Sequence, residues 1–424
     1  MTSSRASFGR QGETWNESTC ASDPVTGRLV RRLTAAGCNE KPVYHTNTAF
    51  TADGEYVVFV SGRNGQSAVM KAHLATGDLT QLTEPVLGLG GLWELHKARP
   101  SRWSDGAGIS GTTVCIAPRT RWATYFHQRA LHAVHLDSLE ARTLIADIGE
   151  EWTEGVISVN PAETEVLVPL TPAHPEVSAG RPPTHSYLDC FAGEGMRTRY
   201  VRVPLAGGPA EEVFVDEGRY CGHCPHCPTD NDLVLIDRDL PPKFWCGGDE
   251  GRTNRCWILN LRTLQLTPIV PRNHQRFQVH ACWTFDGQYV AYHGWRTEGG
   301  WYVGVAKRDG TIVREYDFPD AVGYGHVSAD PKRQAIILDG NVTQDMLMWL
   351  YWGADAPRLE PICQHATEWD SLSGQLHDPH PAADPSGRWI AYNAAHAGRS
   401  DVFLVQVGRD ARMDRTLIDH VPAM

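Results

Sequence analysis

Long apolar runs are missing from this chain. No segment of about 18 residues is apolar throughout and free of charge, and the first residues, Met1 to Ser18, carry Arg5 and Arg10 without any apolar stretch of the signal-peptide kind. Neither a membrane partner nor export is expected. A basic excess is missing too: 39 Lys and Arg stand against 50 Asp and Glu, a net charge of −11, so a nucleic-acid partner is not expected and an acidic ligand would need a local cluster of Arg and His. Regular disulfide spacing is absent, since the eleven cysteines are odd in number and irregularly placed, which fits a reducing compartment. The sequence therefore reads as a cytoplasmic protein. Helix-period runs are scarce, while forty Gly and twenty-seven Pro break the chain into short pieces, so the expected class is all-β.

A unit recurs along the chain: an apolar or aromatic residue, a turn of the Asp-Gly kind, a short alternating strand, a second turn and another strand. Phe50-Thr51-Ala52-Asp53-Gly54 leads into Glu55 to Phe59, Trp283-Thr284-Phe285-Asp286-Gly287 into Gln288 to Tyr292, and Asp384-Pro385-Ser386-Gly387 into Arg388 to Tyr392. Weaker copies start near Asn160, Asp230 and Asp330, and a degenerate one covers about Trp103 to Ile145. Spacings of this order belong to four-stranded propeller blades, and the sequence predicts a seven-bladed β-propeller over residues 26–424, with residues 1–25 as an N-terminal extension. Arg28 to Thr34 reads as a lone outer strand that completes the last blade and closes the ring, which removes an open sheet edge.

In such a ring the residues just ahead of each turn face a central channel. Here those places carry histidine: His45, His223, His280, His326 and the loop from Gln375 to His380. The stretch from Cys363 to Asp370, with Gln375-Leu376-His377-Asp378-Pro379-His380-Pro381 just after it, gathers imidazole, amide and carboxylate donors that suit a divalent cation. One histidine alone is more simply a packed side chain; recurrence at equivalent blade positions is what points to a site.

These motifs resemble those of the oligogalacturonate lyase family over nearly the whole chain. His365-Ala366-Thr367-Glu368-Trp369-Asp370 and Gln375 to Pro381 resemble the family's two C-terminal motifs, Val279-His280-Ala281-Cys282-Trp283 its histidine-aromatic strand, Gly325-His326-Val327-Ser328 its glycine-or-serine-histidine turn, and Glu150-Glu151-Trp152 its acidic-Trp pair. The resemblance implies a divalent metal, manganese as a rule and otherwise an ion such as calcium, on His326, Gln375, Asp378 and His380. Asp378 stands where the family has a third histidine, with His377 beside it as the other candidate. It further implies His280 as the catalytic base, Arg255 as a catalytic arginine, and His223, Trp283 and Trp369 as substrate contacts. The implied activity is β-elimination on short oligogalacturonides in intracellular pectin degradation, with a small anionic oligosaccharide as the partner. A lyase on another uronide, or a non-catalytic propeller scaffold, are the competing readings.

The chemistry suits these residue types. Removing the weakly acidic proton at C5 of a uronide builds charge on the C6 carboxylate, which a divalent cation and a guanidinium stabilise, and a neutral imidazole with a pKa near working pH can take the proton. A second cluster, Cys221-Gly222-His223-Cys224-Pro225-His226-Cys227, has the ligand density of a structural zinc site but no clear distant pair, so zinc and plain packing both remain open there. Nothing in the sequence sets the oligomeric state.

Overall fold

The computed structural model describes residues 6–88, 108–109, 113–173, 175, 195–239, 255–270, 276–296, 298–318, 325–340, 345–368 and 378–408. Their strands form seven separate antiparallel sheets, arranged as the blades of a β-propeller. No helix among the described residues is long and apolar enough to cross a membrane.

The first blade runs outward from Asn39–Pro42 through Tyr56–Arg63 and Gln66–His73 to Asp78–Gln81, and the next five repeat this four-step meander. The turn that made the repeats legible has a concrete cause. Thr51 Oγ1 donates to Asp53 Oδ1 at 2.6 Å, the Glu55 amide donates to the same oxygen at 3.0 Å, and Gly54 takes the positive φ of 69° that the turn requires. Thr284, Asp286, Gly287 and Gln288 reproduce it, with 2.6 Å and 2.9 Å contacts and a φ of 63° at Gly287.

The ring closes as expected. Leu29–Arg32 pairs with Arg399–Gln406 in the register Val30 to Val405, Arg31 to Leu404 and Arg32 to Phe403, so chain start and chain end share the seventh blade. Residues read from sequence as an extension also enter the ring. Thr19–Ser22 adds an outermost strand to the seventh blade, and Thr14–Asn16 one to the first. A fully buried ion network holds them there: Arg63 reaches Glu17 through Nη1 and Glu40 through Nη2, each at 2.6 Å. Three charges taken out of water are tolerable because each is paired inside the group. Neighbouring blades share their cores, as where Val58 and Phe59 of the first pack with Ile116 and Ala123 of the second and Trp389 and Leu404 of the seventh.

Candidate active site at the end of the channel

The inner strands surround a channel of about 410 Å³, lined along the first blade from His45 to Ala52. At its His45 end the chain repeatedly departs from regular pairing, and each departure aims a side chain at the axis. In the first blade the ladder from Asn39–Pro42 gives way to a turn in which the Asn47 amide donates to Tyr44 O at 2.9 Å, while Asn47 Nδ2 donates across to Ile157 O of the third blade at 2.8 Å. In the fifth, the register slips between Gln278 and Ala281, so His280 sits on a bulge, a feature that re-aims side chains. In the seventh, His380 adopts a positive φ of 47°, held by its own Nδ1 donating to Asp378 O at 2.7 Å. A non-glycine residue in that region is strained, and such strain gathers at functional sites.

The result is a cluster of imidazoles. Ring centroids of His326 and His380 are 3.8 Å apart, His280 and His326 4.4 Å, His45 and His326 4.8 Å, and His223 and His280 6.0 Å. Tyr44 stacks on His223 at 5.1 Å. One ring nitrogen from each of His45, His326 and His380 lies within 4.8 Å of the others, so these three can hold a metal ion. All three are buried, and burial first, then neighbouring positive groups, hold His45 and His380 far below the usual imidazole range. His45 and His380 are therefore neutral, the form a cation needs. Both ring nitrogens of His45 are buried and make no hydrogen bond, which a bound cation would answer.

The tautomers of the other two are set from behind. His326 Nδ1 lies 3.1 Å from Asp339 Oδ2, and the Asp339 Oδ1 atom also accepts from the Gly325 amide at 3.0 Å. With Nδ1–H donating outward in His326 and in His380, Nε2 of each carries the lone pair. Asp378 Oδ2 stands 4.0 Å from His326 Nδ1. Burial first, then the neighbouring Asp378, push Asp339 well above the carboxylate range, so it holds a proton more readily than an exposed carboxyl. Lys41, almost fully buried, is brought down to about 7 by burial against the opposing pull of Asp378.

A second group adjoins the first. Asp237 ends one strand of the fourth blade and pairs with Cys256, next to Arg255, on the neighbouring strand. Its Oδ2 takes a short hydrogen bond from His223 Nδ1 and accepts from Arg255 Nη2 at 3.0 Å. Arg255 Nε faces Asp239 Oδ2 at 3.0 Å, and Nη1 donates to Val279 O beside His280. Burial works to raise Asp237, but Arg255 and His223 hold it below its usual value; Asp239, buried with less help, is pushed up to about 6. His280 Nδ1 is 3.3 Å from Nε2 of the fully buried His293. Burial, then His326 and Arg255, depress His280 well below the ordinary imidazole value, lower than the near-neutral pKa expected from sequence.

Of the expected site residues, His223, Arg255, His280, His326, Asp378 and His380 therefore meet at one end of the channel. Trp283 does not join them: it lies buried in the channel wall, its indole N–H donating to Pro225 O at 3.1 Å. Gln375, His377 and Trp369 lie outside the described residues. Sequence reasoning placed His45 at the channel but gave it no ligand role, and missed His293, Lys41, Asp237, Asp239 and Asp339. The cysteine cluster does not converge on a point. Cys221 Sγ donates to His223 O at 3.0 Å, Cys224 Sγ to Val156 O at 3.4 Å, and Cys227 Sγ lies 3.7 Å from Gly287 O, so these thiols pack and bond to separate carbonyls. All nine cysteines among the described residues are free.

No protein-family model matches the chain. It is 20% identical over 403 residues to an oligogalacturonate lyase of Dickeya dadantii and 20% identical over 404 residues to an oligogalacturonide lyase of Pectobacterium atrosepticum, each match covering 91% of this chain and 95% of the relative. Among solved structures, an oligogalacturonate lyase in complex with manganese superposes with a TM-score of 0.73 at 18% identity, covering 94% of this chain and 98% of that one. The propeller is thus shared along almost the full length of both chains, and the family resemblance seen in the motifs is borne out in overall sequence and fold.

Proposed function

We propose that this chain is a divalent-metal-dependent lyase, with manganese as its ion, that cleaves short oligogalacturonides by β-elimination in intracellular pectin breakdown. The observation that carries the reading is the meeting, at one end of the channel, of buried neutral imidazoles with His280 and the His223–Asp237–Arg255 group. The names of the relatives and the manganese complex support the substrate and the ion.

The ion would be held by His326 and His380, the two expected imidazole ligands whose lone pairs face inward. When bound it supplies positive charge opposite the C6 carboxylate, where charge develops as the C5 proton leaves. The remaining steps fall to the protein. His280, with Nδ1–H donating to His293, keeps the Nε2 lone pair free to take the C5 proton. As that C–H bond breaks, its electron pair forms the C4–C5 double bond, and the linking oxygen departs with the C4–O pair and takes a proton from water to leave as a hydroxyl. Arg255 meets the carboxylate with the donors that Asp237, Asp239 and the Val279 carbonyl leave over, since a guanidinium has five. Held by two carboxylates and a carbonyl, it has little freedom to lose on binding. His223 is anchored at Nδ1 by Asp237, while its Nε2 makes no hydrogen bond and is placed to meet a sugar oxygen.

The test is to strip the purified protein with a chelator, add Mn²⁺, and follow di- and trigalacturonate by the ultraviolet absorbance of the unsaturated product. Activity that vanishes on chelation and returns with Mn²⁺ is expected. A metal-loaded protein with no turnover on any galacturonide would refute the reading.

A further inference from the structure

We infer that the third imidazole of the metal centre is His45, delivered by the first blade, and that Asp378 stays outside the coordination shell as a carboxylate behind His326. The inference rests on the metal-dependent reading above and changes its ligand set.

The geometry argues for His45. Ligand atoms at roughly 2.0–2.2 Å from one ion lie about 3 to 4.4 Å from each other, so three nitrogens within 4.8 Å need only a small contraction to share it. Among the described residues no carboxylate joins that set. His45 has both nitrogens buried without a hydrogen bond, an arrangement that costs free energy unless something coordinates one of them. Its turn is pinned at both sides, by the Asn47 amide on Tyr44 O and by Asn47 Nδ2 on Ile157 O of the third blade, so the imidazole is positioned before any ion arrives.

The same geometry argues against Asp378 as a ligand. Its carboxylate approaches His326 at Nδ1, the nitrogen already facing Asp339, and not at Nε2, which carries the lone pair. Its backbone oxygen meanwhile accepts from His380 Nδ1. Asp378 thus stands behind two ligands at once, the place of the carboxylates and carbonyls that orient metal-bound imidazoles. The loss of an imidazole at position 378 is offset by one at position 45, from the other end of the chain. A centre with three imidazoles favours Mn²⁺ and later first-row ions over Ca²⁺, which prefers an all-oxygen shell.

The full-length, chelator-stripped protein can be titrated with Mn²⁺ alone by calorimetry, and the loaded form examined by pulsed electron paramagnetic resonance to count coordinated nitrogens. One Mn²⁺ site with three imidazole nitrogens is expected in the unaltered protein. His45→Phe should weaken Mn²⁺ binding by more than about a hundredfold, beyond the tenfold to hundredfold usual for outer groups, and drop one nitrogen, while Asp378→Asn loses no more than about a hundredfold and keeps all three nitrogens. His45→Gln serves if the phenylalanine variant does not fold. Two nitrogens in the unaltered protein, unchanged affinity in a folded His45 variant, or loss of binding in Asp378→Asn would each overturn the assignment. Because Mn²⁺ is measured without sugar, a protein that binds it through His45 yet cleaves no galacturonide sinks the proposed activity and leaves this assignment standing.

Discussion

Lowering the pH should destabilise the metal-free protein markedly, because its buried imidazoles are neutral when folded and take protons when unfolded. His293, fully buried, and His226, bonded to Ser158 Oγ at 2.7 Å, are each brought down to about 3 by burial. For a group depressed in the folded state, the stability is complete above the unfolded value near 6.5 and is lost as pH falls toward the folded value. Between pH 6.5 and 5.0 each of these two costs roughly 2 kcal/mol, at about 1.4 kcal/mol per pH unit. Asp239 works the other way, since a carboxyl raised to about 6 takes up its proton in the folded state first, and it returns roughly 1 kcal/mol over the same interval. The three leave a net loss of about 3 kcal/mol. His45, His280, His380, His127 and His132 add to it, against raised Glu40, Asp339 and Asp401, so imidazoles prevail in number as well. Urea unfolding followed by tryptophan fluorescence at the two pH values measures this, and Mn²⁺ should reduce the loss by holding its ligands unprotonated. Stability that is flat or rises as the pH falls would refute the reasoning.

His280→Ala should abolish elimination while fold and metal content are kept, and in the unaltered protein the acidic limb of the pH–rate profile should fall below the ordinary imidazole range; a limb at or above that range, assigned to His280 by its loss in the variant, would contradict the burial argument. Arg255→Lys should lower kcat/KM by tenfold or more, roughly 1.4 kcal/mol, although the charge is conserved, because one ammonium cannot face Asp237, Asp239 and Val279 O together. Asp237→Asn should do comparable harm without touching Mn²⁺ affinity, since it releases His223 and Arg255 but no inward-facing metal ligand; equal kinetics in either variant would show that the network does not position the site.

The fold was legible because the repeat is local chemistry. A threonine, an aspartate that caps the turn through its own side chain and a glycine at positive φ recur in the first and fifth blades, with looser copies elsewhere, and each can be read from a handful of neighbouring residues. Arg28 to Thr34 was readable for the same reason, as an alternating strand with no partner nearby. Thr14–Asn16 and Thr19–Ser22 were not, since their place depends on Arg63 meeting Glu17 across 46 positions of sequence. The site divides likewise. His280, His326 and His380 lie in motifs, whereas His45 becomes a candidate ligand only when the ring brings the first blade against the sixth and seventh. Asp237 follows the apolar run Leu233 to Ile236 with nothing nearby to mark it, and its meeting with both His223 and Arg255 is a product of register between two strands.

Charge explains why so many neutral imidazoles and so many carboxylates share one pocket. Asp237, Asp239 and Asp378 surround the channel end, with Asp339 held toward its protonated form by burial, and against them stand Arg255, already shared by Asp237 and Asp239, and Lys41, which burial brings down to about 7. His45, His280, His293 and His380 contribute no positive charge, because burial keeps them unprotonated. Without a cation the pocket therefore offers an acidic sugar little positive charge beyond Arg255 and Lys41. On the proposed function, a divalent ion among His45, His326 and His380 would shift that balance beside the C6 carboxylate, so one ion would both lower the barrier and favour binding of an acidic sugar. A carboxylate kept behind His326 rather than on the ion leaves more of that charge for the substrate, which is the physical advantage of drawing the third imidazole from His45.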